Sequence, residues 1–153
     1  MATGNRAQRR AQRKWKVEEF REQAFEAKSQ LASIVLVAGD EEFEVPHPLA
    51  LDDETQARVE AFQRGDGLDR DTILGEDGEP LLDAAGVPVT RIREPHQVDG
   101  VVLEPIAIRS ARAILGVEVH ARFIAAGGRS NDITAAWEWM VEQHRERVAA
   151  DPK

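Results

Sequence analysis

The longest uninterrupted apolar run in this chain is five residues, Ile34 to Ala38. A sequence broken this often can bury apolar surface only along one face of each helix or strand, so short amphipathic elements around one modest core are expected. A membrane-spanning helix needs about 20 consecutive apolar residues, and none is expected here. The 153 residues suffice for one compact domain, and 5 Phe and 3 Trp with no Tyr leave few aromatic side chains for a large interior. Cysteine is absent, which excludes disulfide scaffolds, thiol catalysis and cysteine-ligated zinc and is compatible with a reducing cytoplasm. No amino-terminal segment joins a charged start to an apolar centre, so no secretory signal is expected.

The net charge of −8 is spread unevenly. Residues 1–30 hold 8 Lys/Arg against 4 Glu, which is +4, and the remainder holds 12 basic and 24 acidic residues, which is −12. The chain therefore divides into a basic arm, residues 1–32, and an acidic body, residues 33–150, read as a single domain. A basic arm can seek nucleic acid, because each Lys or Arg near a phosphate releases counterions. It can equally seek acidic protein, including the body of a neighbouring copy. From Trp15 the arm places Phe20, Ala24, Phe25 and Leu31 at helical steps among strong helix formers, which makes Arg13, Trp15, Phe20 and Phe25 its candidate contact residues.

In the body, β-branched Ile34 to Ala38, a Gly39-Asp40 turn and the alternation Phe43, Val45 predict a β-hairpin over 33–45. Pro46-His47-Pro48 stops it. Asp53 three residues before Gln56 has capping-box spacing, and with Val59, Phe62 and a terminal Gly65 it predicts a helix over 53–64. Residues 65–103 hold 6 of the 11 glycines and 3 of the 7 prolines and read as an irregular insertion. Within it Gly78-Glu-Pro80-Leu81 recurs as Gly86-Val-Pro88-Val89, a pattern of short extended pieces joined by turns, expected as a surface loop or small hairpin.

Residues 105–149 predict a compact trio of helices. Pro105 starts the first, whose Ile108, Ala111, Ile114 and Leu115 share a face before Gly116. The second, Val117 to Ala126, groups Val117, Ala121 and Ile124 and ends at Gly127-Gly128. Ser130, Asn131 and Asp132 offer caps to the third, with Ile133, Trp137, Met140, Val141, His144 and Val148 on its apolar stripe. The expected fold class is mainly α with a small β-hairpin, an α+β arrangement of C-terminal helical trio and extended basic N-terminal arm.

Chemistry is hard to find in this pattern. His47, His96, His120 and His144 lack the spacing of helical metal ligands; His47 and His96 read as turn histidines bonded to nearby backbone, and His120 and His144 as straddling the boundary of the core. The acids from Asp66 to Asp77 fail a calcium loop, because its third and fifth positions would be Leu68 and Arg70. No phosphate-binding glycine loop or nucleophile elbow exists, so no enzyme, metal or cofactor is expected. Trp137 and Trp139 point about 160° apart on a helix. Trp137 is expected in the core with Ile108, Leu115, Phe123 and Met140. Trp139 is expected to pack under another element of the chain; if exposed instead, it is the first candidate for contact with a partner.

The order of parts resembles the tail assembly chaperones of long-tailed, siphovirus-type phages of actinobacteria. The resemblance spans about residues 33–145. It is carried by the hairpin leading to Phe43-Glu-Val-Pro-His-Pro48, by Leu51-Asp-Asp-Glu54, by Ala113-Ile-Leu-Gly116, by Phe123-Ile-Ala-Ala-Gly-Gly-Arg-Ser-Asn-Asp132 and by Trp137-Glu-Trp-Met140. The Gly-Gly-Arg-Ser-Asn-Asp turn is the most specific part. The resemblance implies a mainly helical, non-enzymatic protein of the host cytoplasm, absent from the mature virion, that binds the tape measure protein and keeps it soluble while the tail tube polymerises. It also implies a longer product made by ribosomal frameshifting, and a homo-oligomer including that longer form is expected. The arm and the Gly-x-Pro insertion have no counterpart in the resemblance. Two competing readings are a small phage nucleic-acid-binding regulator, which a body at −12 disfavours, and a structural virion component.

Overall fold

The computed structural model describes residues 16–18 and 32–151, and the chain divides into two units, Met1–Leu31 and Ala32–Lys153. Of the first unit only residues 16–18 are described, and they are exposed. The second is mainly helical with small antiparallel strand pairs, the fold class expected from the pattern.

The hairpin forms where expected: β1 (Ile34–Ala38) pairs with β2 (Glu41–Val45) in the register Ile34 to Val45, Leu36 to Phe43 and Ala38 to Glu41. Alternation puts Leu36, Phe43 and Val45 on the inner face and Val35, Val37, Glu42 and Glu44 on the outer, exposed one. Helix α1 (Asp53–Arg64) has the expected bounds, but its cap lies one residue earlier. Asp52 accepts the Thr55 N–H at 2.7 Å, because extended backbone at Asp52 aims its carboxylate at the free amides of the first turn.

The helical trio is α2 (Ile106–Leu115), α3 (Val117–Ala125) and α4 (Ser130–Ala150). Pro105 stands just before α2 rather than in its first turn. Ala111, Ile114 and Leu115 are buried as their spacing requires. The face expected of α3 is wrong: Val117 and Ile124 are exposed, and His120 and Phe123 are buried with Val119 partly so. Polar His120 was counted as a boundary residue and therefore moved the apparent stripe; in fact its Nε2 meets Ser130 Oγ at 3.0 Å inside the core, which satisfies the ring. Ser130, taken as a possible cap, is thus the first residue of α4, and Arg129 holds the cap position with its N–H donated to Asp132 Oδ2 at 2.8 Å.

One contact organises the core. The rings of Phe43 on β2 and Phe123 on α3 meet edge to face with centroids 5.2 Å apart, and both are 2% exposed. Val45, Ile133, Ala136 and Met140 close around them, with Ile114 and Val59 bringing in α2 and α1. Arg58 fastens α1 to the end of α2 by donating Nε–H to the Ala113 carbonyl at 3.1 Å.

Trp137 is a partial correction. It packs on the core but remains half-buried, and its Nε1–H donates to Pro46 O at 2.9 Å, pinning the segment after the hairpin to α4. Val141 and Val148 of the expected α4 stripe are exposed: Val141 lies to the side of the face that carries buried Met140 and half-buried His144, and Val148 lies beyond the last residues of α4 that pack on the body.

The insertion is far more ordered than its composition implies. Strands β3 (Arg70–Thr72) and β4 (Thr90–Ile92) pair, and β5 (Gln97–Val98) pairs with β6 (Val101–Val102). Between β3 and β4 the eight-residue repeat closes a ring of backbone bonds: Leu81 N donates to Ile73 O, Val89 N to Leu81 O and Ile73 N to Val89 O, at 2.8–2.9 Å. Each repeat turns in the same way, with Gly78 and Gly86 at φ +77° and +78°, where a side chain would strain the turn. Asp69 ties the ribbon to the next hairpin through Asp99 N at 2.9 Å and Gly100 N at 2.8 Å.

These contacts set a ranking of substitutions. At Gly128 a Cβ would lie 2.4 Å from the buried Phe123 ring, so Gly128→Ala should lower stability by about 1–3 kcal/mol through overpacking. Trp137→Ala should cost about 2–3 kcal/mol, below the ~3–5 of a fully buried aromatic, and Trp139→Ala no more than about 0.5. Urea melts of the three variants check this order.

Candidate functional site

Among the described residues an apolar groove of about 560 Å³ lies between β1 and the first half of α4. Ile34, Leu36 and Val37 form one wall, and Ala135, Ala136 and Trp139 form the other. Phe123 and the Gly127-Gly128 turn make the floor. The sequence creates this trough by subtraction. Two alanines on α4 are too small to reach β1, and at Gly128 no side chain fits above the Phe123 ring. Among the described residues the β1–β2 sheet has two strands, so one edge of β1 has no strand partner there.

Trp139 stands on the rim, 54% exposed. The expected packing beneath another element does not occur among the described residues: α4 turns Ala136 and Met140 inward and Trp137 to its side, and no described element covers Trp139. Around the groove the charge is mostly negative. Asp132 lines it, and exposed Asp40, Glu42 and Glu138 adjoin or face residues that line it, against two nearby cations, Arg129 and Arg122, of which Arg122 is paired with Glu41.

A second concavity of about 610 Å³ lies on the insertion, lined by Arg70, Asp71, Arg91, Ile92, Glu94 and His96. Its charges are mixed, and of the lining residues Asp71 is ion-paired. Arg93 pairs with Asp71 at 2.6 Å, which raises the guanidinium pKa, and Arg70 Nε–H donates to Thr90 Oγ1 at 3.0 Å. His96, expected to bond nearby backbone, instead meets the Arg109 guanidinium through Nδ1 at 2.8 Å. Because arginine can only donate, Nδ1 is the acceptor and the ring carries its proton on Nε2. Among the described residues no group of three His, Asp or Glu side chains is arranged to hold a metal ion.

His47 behaves as a turn histidine: its Nδ1 accepts the Leu49 N–H at 3.1 Å. It is nonetheless buried, at 3% exposure, and its ring meets that of His144 edge to face at 6.0 Å. Burial, reinforced by His144, holds the His47 pKa below 6.5, and burial with Arg112 nearby does the same for His120.

Of the residues picked from the sequence as partner contacts, Trp139 lies at the groove. Arg13, Trp15, Phe20 and Phe25 lie outside the described residues. The groove's other members were missed as a site although their signal was present. Ile34 and Leu36 share a face with Phe43 and Val45, and the small Ala135-Ala136 pair precedes the two tryptophans. Comparisons with protein-family models, with curated proteins and with solved structures find no match for this chain. No described helix is long and apolar enough to cross a membrane.

The buried histidines give a pH dependence with a definite sign. Both take up protons less readily folded than unfolded, so stability is complete above the unfolded value near 6.5 and is lost as pH falls through the lower folded values. Protonation of His47 Nδ1 would also turn the acceptor of the Leu49 N–H into a donor. Urea midpoints should therefore fall as the pH drops from about 7 to about 5, above the range of ordinary carboxylates. The His47→Gln/His120→Gln double variant should flatten that slope.

Proposed function

We propose that this chain is a tail assembly chaperone of a long-tailed phage, and that the groove between β1 and α4 holds an apolar segment of the tape measure protein. The observation that carries this reading is spatial. The most specific part of the resemblance is the turn from Gly127 to Asp132, and the run from Trp137 to Met140 also belongs to it. They supply the groove's floor, Asp132 on its wall and Trp139 on its rim. A long helical client presents apolar side chains at regular intervals, and a trough lined by aliphatic residues with an aromatic anchor suits such a stripe. The acidic body keeps client-bound copies soluble by mutual repulsion.

On this reading the chain acts in the cytoplasm of the infected cell and leaves before the particle is complete. A longer frameshifted product would share the same body. No nucleotide is required, since capture and release follow from binding equilibria alone.

Co-expression with the tape measure protein of the same genome tests it. Soluble client should rise with the level of this chain, and Trp139→Ser should lower captured client about tenfold with circular dichroism unchanged, the loss of one aromatic hot spot. A client equally soluble without the chain overturns the chaperone reading. Undiminished capture by Trp139→Ser overturns the groove as its site.

A further inference from the structure

We infer that, in the absence of client, the groove between β1 and α4 receives the basic arm of a second copy of this chain, residues 1–31, and so links copies head to tail. The groove is apolar at its centre, with Leu36 and Ala136, carries the exposed Trp139 on its rim, and is acidic on balance around it, with Asp40, Glu42, Asp132 and Glu138 against Arg129 and an Arg122 already paired with Glu41. Asp40, Glu42 and Glu138 have no ion-pair partner among the described residues. The arm carries the complement: Trp15, Phe20 and Phe25 as apolar anchors within a segment of charge +4, placed on a chain whose remainder is −12.

The charge pattern favours this occupant over a second body. Two bodies repel, whereas an arm meeting a body neutralises both. Because the arm and the groove are different surfaces of one chain, each bound copy presents a free groove at one end and a free arm at the other. The contact is heterologous and the array open. The inference does not depend on the identity of the client, since its readout is the association of this chain alone.

The full-length protein tests it by sedimentation velocity across a range of concentrations. Assembly beyond the monomer is expected at low salt, weakening about tenfold between ~0.05 M and ~0.5 M salt as screening shortens the reach of the rim charges. Two variants should be monomeric with helix content intact: Trp139→Ser/Glu138→Lys, which spoils the groove, and Arg13→Glu/Lys14→Glu/Lys16→Glu, which spoils the arm. Mixed together, they still offer one sound arm and one sound groove and should form a one-to-one pair that grows no further. A wild-type monomer at every concentration overturns the inference, as do variants that assemble like wild type or a mixture that stays monomeric. Association that disappears on nuclease treatment also overturns it and assigns the arm to nucleic acid.

Discussion

The edge-to-face contact of Phe43 with Phe123 is what the rest of the body depends on. It joins a two-stranded hairpin, which alone is at best marginal in water, to the helical trio that supplies its missing hydrophobic partner. Two consequences follow from the position of the Phe123 ring. Gly128 must carry no side chain above it, so the α3–α4 turn stays thin, and α4 begins close enough for Ser130 to reach His120. The groove is the space left over once those constraints are met. It is a by-product of tight packing underneath, and its floor is the same ring that anchors the hairpin.

Elements with a strong local signal were legible in the sequence. The hairpin register follows from alternation around Gly39-Asp40, and the bounds of α1 follow from a carboxylate at one end and glycine at the other. Faces were read less well, because a hydrophobic stripe counts only apolar residues. His120 takes a core position that its polarity conceals, since the partner satisfying it, Ser130, sits ten residues away on another helix. The length of α4 misled in the opposite direction. Val148 continues the period perfectly well, but the body stops at His144, and periodicity carries no information about where neighbours end.

The insertion shows the same limit from another side. Its glycines and prolines signalled turns, and the eight-residue repeat was visible, yet nothing local revealed that Ile73, Leu81 and Val89 bond one another in a closed ring. That closure is a long-range backbone arrangement with almost no buried side chains behind it. Leu74, Leu81, Leu82 and Val87 are all substantially exposed. Order here comes from satisfied amides, aspartate-capped turns and the Arg93–Asp71 pair rather than from a core, which composition-based reasoning equates too readily with irregularity.

The two tryptophans of α4 divide stability from recognition by their spacing alone. Trp137 gives its indole N–H to Pro46 and holds the chain between hairpin and α1 against the helix, so its loss is felt by the fold. Trp139, two residues on and about 160° around the axis, has no such partner among the described residues and contributes little to the body that displays it. Leaving so large an apolar side chain in water forgoes free energy that burial would have supplied. On the proposed function, the position of Trp139 on the rim of an apolar trough, beside Asp132, is accounted for by a partner that covers it.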